Sequence, residues 1–102
     1  MFGDPTQEFR VFMTKPISIR MAIENYYGLN RANIPIGAII DDRPGKSPYD
    51  SRWSWHFNPD LLNIAEAAIE LCDGTPIWVE THLSEWAGRT FCPWNAHLVR
   101  LN

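Results

Sequence analysis

Ser54 and His56 stand two residues apart in Trp53-Ser54-Trp55-His56-Phe57, so strand alternation places the hydroxyl and the imidazole on one face. A serine beside a histidine is the beginning of acyl-transfer chemistry, but a carboxylate must orient the imidazole, and Asp50 in the preceding loop is the candidate. No GxSxG turn or cysteine-protease context surrounds any nucleophile, and no catalytic residue is expected. Cys72, His82, Cys92 and His97 are metal-ligating types. Structural zinc sites take at least one close ligand pair, which these four lack, so no metal is expected. Pro44-Gly45-Lys46-Ser47 has the ending of a phosphate-binding loop without its upstream glycine, and reads as a turn. No cofactor is expected.

The aromatic residues carry more information. Five tryptophans occur in 102 residues, at 53, 55, 78, 86 and 94. Trp53, Trp55 and Phe57 share one strand face, which predicts a bulky core wall. The reverse face would then present Ser54 and His56. If Phe9, Val11 and Met13 also look inward, Arg10 and Phe12 look outward, joined by Leu98 and Arg100 from the last strand.

A face meeting only water has no need of Phe12 and Leu98, and apolar residues edged by arginine mark a binding surface. It admits a second copy of the chain in a two-fold dimer, or an acidic or planar ligand, small molecule or protein, gripped by Arg10, His56 and Arg100. The leading expectation is therefore a non-enzymatic binding domain that self-associates through this face. The alternative is a small enzyme or ligand-binding protein with a pocket lined by Trp55, His56 and Trp94, the last in a turn after Pro93.

The elements that must position these residues follow from periodicity. Alternation predicts strands over 9–13, 34–40, 53–57 and 98–101. Residues 17–27 carry Ile19, Ala22, Ile23 and Tyr26 as one stripe, behind Thr14 and Pro16 as start and before Gly28 as stop, which predicts a helix. Asn58-Pro59 predicts a second helix with Leu61, Ile64, Ala65, Ala68 and Cys72 inward, ended by Gly74. Thr75-Pro76 predicts a shorter one with Val79, Leu83 and Trp86 inward, ended by Gly88.

Residues 41–52, rich in turn formers, read as one long exposed loop. The order β-α-β-β-α-α-β is that of a ferredoxin-like α+β fold, a four-stranded antiparallel sheet with helices on one face. At 102 residues the chain reads as a single domain, 1–102.

Nine Lys and Arg against twelve Asp and Glu give a net charge of −3, which speaks against nucleic acid, as does the lack of an aromatic RNA-recognition motif. No apolar run approaches the about 18 residues of a membrane span; the segment 34–40 is short and contains Pro35 and Gly37. The N-terminus lacks the basic start and apolar stretch of a secretory signal, so a complete cytoplasmic protein is expected, with Cys72 and Cys92 as thiols. A disulfide between them would need an oxidising location.

The segments WSWHFNPD (53–60), IELCDGTPIWVE (69–80) and FCPWNAHLVR (91–100) resemble a small domain of cAMP-inducible proteins. There it forms the N-terminal part of longer chains. The resemblance runs from Phe9 onward and is most specific in the tryptophan-flanked strand leading to Asn-Pro and in the Cys-Pro-Trp turn. It implies one compact domain and carries no catalytic residue with it.

Overall fold

A computed structural model describes residues 2–3, 7–68, 70–99 and 101, with backbone alone at 2, 3 and 70. In chain order the elements are β1 (Phe2–Gly3), β2 (Glu8–Phe9), α1 (Pro16–Tyr26), β3 (Ile34–Asp41), β4 (Trp55–Phe57) and β5 (Asn63–Ala65). They continue with α2 (Pro76–Thr81), α3 (Leu83–Trp86), β6 (Thr90–Phe91) and β7 (His97–Leu98).

β3 organises the main sheet. It pairs antiparallel with β4 through Ile39–Phe57, with β5 through Pro35–Ile64 and with β6 through Gly37–Phe91. Successive residues of a strand point their backbone groups to opposite edges. The Ala38 carbonyl accepts from the Asn58 amide, whereas Ile39 bonds Arg89 and Gly88, so β4 and β6 lie on opposite edges of β3. Gly88, at φ +78°, supplies the left-handed turn that brings the chain from α3 back to β3.

The inward face of β4 is the wall that alternation predicts. Trp55 and Phe57 meet Phe91 at centroid distances of 5.7 and 5.8 Å, and Phe9 and Trp86 close the cluster at 5.7 Å to Trp55 and 5.4 Å to Phe91. Such a cluster stabilises by large buried area and by offset or edge contacts between rings. Gly37 lets β3 pass beneath it: a Cβ there would lie 3.0 Å from Phe57 Cδ1 and 3.4 Å from the Leu62 backbone. The Trp53 indole donates to the Glu8 carbonyl at 2.9 Å, which ties β4 to β2, while the buried Trp55 indole N–H has no partner.

The fold is mixed α and β, with a four-stranded antiparallel sheet and three helices, but the ferredoxin-like order is not what forms. β2 and β7, the expected outer strands, instead flank β1 in a separate three-stranded sheet. The expected helix over 61–72 is also absent. Asn58 caps Asp60 as read, but only a 3-10 turn, Pro59–Leu61, follows before β5 takes its place along β3. Leu62 and Ile64 are buried while Leu61 and Asn63 are exposed, a period of two that pairs with the sheet better than it covers it. A second 3-10 turn, Glu70–Cys72, precedes α2.

α1 forms where predicted, with Pro16 in its first turn, but turns another face inward. Its buried residues are Ser18 and Ala22, and the Ser18 hydroxyl donates to the Leu62 carbonyl at 3.0 Å. Ile19, Ile23 and Tyr26 are exposed. Small side chains let the helix lie close to the chain beside β5, and only the Ser18–Ala22 side has them. Thr14 does not cap; Lys15 occupies that position without a side-chain bond. The shorter helix behind Thr75 is as expected, split at His82 into α2 and α3, with Val79, Leu83 and Trp86 buried.

Cys72 and Cys92 are not thiols. They are joined by a disulfide, with Cα atoms 5.1 Å apart, beside a hydrogen bond from the Cys92 amide to the Cys72 carbonyl. Chain reversal into β6 brings the two backbones side by side, which linear spacing does not reveal. No helix among the described residues is long and apolar enough to cross a membrane.

A crosslink closing a 20-residue separation restricts the unfolded chain, and its removal costs about 3 kcal/mol. The Cys72→Ala/Cys92→Ala variant should lose that much in urea unfolding, and reductant should destabilise the wild type while leaving the variant unchanged.

Candidate binding surface

Residues 42–54 connect β3 to β4 and fold back on both. Asp42 donates its amide to the Ser54 carbonyl, Ser47 to Trp53, and Trp53 to Asp50, all within 3.1 Å. Three acidic residues lock the ends. Arg43 grips Asp41 with Nε and Nη2 at 3.0 and 2.7 Å, and Arg52 grips Asp50 at 2.8 and 2.6 Å. His56 Nδ1 stands 2.8 Å from Asp42 Oδ2.

Asp50 is the hub of this loop. Its carboxylate, 6% exposed, also accepts the amides of Arg52 and of Arg10, forty residues earlier. Burial alone would push the carboxyl up, but the Arg52 guanidinium and the two amides outweigh it and hold it below the ordinary value. The exposed Asp41 is lowered by its hydrogen bonds from Arg43.

Around this hub the structure gathers part of the expected set. Phe12, 46% exposed, stacks on Tyr49 with centroids 4.7 Å apart and planes 9° off parallel, and Tyr49 meets His56 edge-on at 5.4 Å. Arg10 is exposed beside them, its guanidinium making no ion pair among the described residues. An open cavity of about 470 Å³ is lined by Arg10, Tyr49, Asp50 and Arg52 with Ser47 and Ser51. Tyr49, which joins Phe12 to His56, is not among the residues that the sequence singles out; its one signal is an aromatic ring in the otherwise polar loop 41–52.

Other expected members lie elsewhere. The reverse face of β4 is not open, because the loop roofs it. Ser54 is buried, its hydroxyl accepting from Lys46 Nζ at 3.1 Å and its amide donating to Glu80 Oε1 at 2.7 Å. The histidine is therefore oriented by Asp42, not Asp50, and the serine hydroxyl is engaged by a lysine. Leu98 belongs to the other sheet, half-buried against the core, and Arg100 lies outside the described residues. Trp55, 2% exposed, is sealed in the aromatic cluster, while Trp94 sits in an exposed turn whose amide donates to Asp73 Oδ1. These two do not converge with His56 on a common cavity. No three metal-ligating side chains cluster among the described residues.

A carboxyl lowered by folding stabilises above its unfolded value, about 3.9, and that contribution fades as pH falls through the lower folded value. Below about pH 4, wild-type stability in urea should therefore fall more steeply than that of Asp50→Asn, which is expected to be weaker at neutral pH and flatter in acid.

With the geometry in place, relatedness can be stated. No curated protein and no solved structure matches the chain. The family model that matches describes the N-terminal domain of a cAMP-inducible protein family, and it covers residues 1–102, every residue of the sequence. The likeness carried by the tryptophan-flanked strand and the Cys-Pro-Trp turn thus extends from end to end, and the chain belongs to the family of that N-terminal domain.

Proposed function

We propose that this domain is a non-enzymatic binding module whose working surface is the loop 42–54 with Arg10 and Phe12, and that it takes an acidic, planar ligand. The observation that carries this is the exposed Arg10 guanidinium beside the Phe12–Tyr49 stack, at the mouth of the cavity that Arg10 and Arg52 line. A guanidinium forks onto a carboxylate, and an aromatic face accepts a flat apolar body. Asp50 neutralises Arg52, so the cavity keeps one cationic group in excess.

The negative net charge of the chain favours a small anion over a phosphate backbone. Self-association through this same surface is less favoured than ligand capture, since Phe12 already has a partner in Tyr49 and Leu98 stands in the other sheet. The Cys72–Cys92 bond favours an oxidising setting over the cytoplasm for this role.

Benzoate and inorganic phosphate are the probes, read by amide chemical shifts. Both should move the amides of Arg10 and of the loop, and Arg10→Ala should weaken both about tenfold, the worth of one charge-assisted hydrogen-bonded contact. Tyr49→Ala should weaken benzoate and leave phosphate unchanged. Shifts scattered over the molecule, or unaltered by Arg10→Ala, would remove the proposal.

A further inference from the structure

α1 carries its apolar residues on the wrong side for its own core. With about 3.6 residues per turn, the face opposite Ser18 and Ala22 presents Pro16, Ile19, Ile23 and Tyr27, with Tyr26 at one flank. Ile19, Ile23 and Tyr26 are 38%, 43% and 47% exposed, and Tyr27 is more open still. They border a shallow, mostly apolar groove of about 410 Å³ lined by Pro16, Ile19, Arg20, Ile23 and Glu24. Isolated exposed apolar residues need no explanation, but successive turns of a helix aimed away from its core do.

The charges beside the stripe say what covers it. Arg20 and Glu24 lie one turn apart on one flank, joined at 3.5 Å, while Ile19 and Tyr26 occupy the other flank and Ile23 the middle. Two copies of one helix can meet face to face about a two-fold axis in two ways. Parallel pairing sets the Arg20–Glu24 flank of one copy against the Ile19–Tyr26 flank of the other, charge against hydrocarbon. Antiparallel pairing sets each flank against its like and reverses its direction. Arg20 then faces Glu24 of the partner subunit, twice over, Tyr26 reaches Ile19 of the partner subunit, and Ile23 packs near the axis.

The geometry points to α1 as an antiparallel, two-fold homodimer interface, separate from the Arg10–Tyr49 surface. Self-complementarity of this kind belongs to a second copy of the chain, not to a lipid surface or an unrelated protein.

Sedimentation equilibrium across micromolar to millimolar concentrations tests it. The wild type should form dimers. Arg20→Glu and Glu24→Arg should each weaken dimerisation about tenfold or more, since like charges then face across the axis. The double variant Arg20→Glu/Glu24→Arg should restore it, and Ile23→Glu should abolish it with helical circular dichroism unchanged. Three results would overturn the inference: a wild type monomeric throughout, single charge variants that dimerise normally, or a dimer lost in Phe12→Glu but kept in Ile23→Glu. A monomer that binds phosphatidylserine vesicles through Ile23 would replace it with a membrane surface.

Discussion

The meeting of Trp55, Phe57 and Phe91 across β3 is the constraint on which the rest of this structure depends. β3 is the strand that β4, β5 and β6 all share, and the rings that rise from β4 and β6 are held together over it. A 102-residue chain has area for one core, and much of that area is taken by a few large rings. Once β4 faces inward, the loop before it must return from Asp41 over the outer face, and Tyr49 and Asp50 come to rest beside Arg10 and Phe12. The surface proposed to bind is therefore a by-product of which way the indoles point.

The parts legible in the sequence are those in which one local signal has no competitor. Alternation over 53–57 is unambiguous because one parity holds only aromatic rings and the other only Ser54 and His56. The Thr75-Pro76 start and the Gly88 stop are legible because their chemistry is satisfied by the backbone they adjoin. Asn58-Pro59 reads correctly as a cap and wrongly as the start of a long helix. The stripe Leu61, Ile64, Ala65, Ala68 competes with the alternation of Leu62 and Ile64, and the unsatisfied edge of β3 decides for the strand.

The differences between expectation and structure share one physical origin, the choice of partner for a face. Periodicity places α1 correctly along the chain, but its apolar stripe is not its buried one. Ser18 and Ala22 are selected by the closeness of the Leu62 backbone, which no periodicity encodes. In the same way Tyr49 is invisible as a site residue, because stacking on Phe12 exists only after the loop has folded back. Arg10, Phe12 and His56 do approach one another, yet a loop brings them together where alternation predicts a single sheet face. Leu98 goes to a second sheet, and nothing local signals that β1 captures β7.

Gly37 has a consequence beyond its own packing. Any side chain at that position would press on a ring already enclosed on every side and on main chain that has nowhere to retreat. Phe57 is fully buried, and its alternative positions are filled by Trp55 and Phe91. The choice of glycine is thus a stereochemical necessity imposed by the aromatic residue facing it, and the two positions can only drift as a pair: a larger residue at 37 is tolerable in a chain that has first given up the ring at 57.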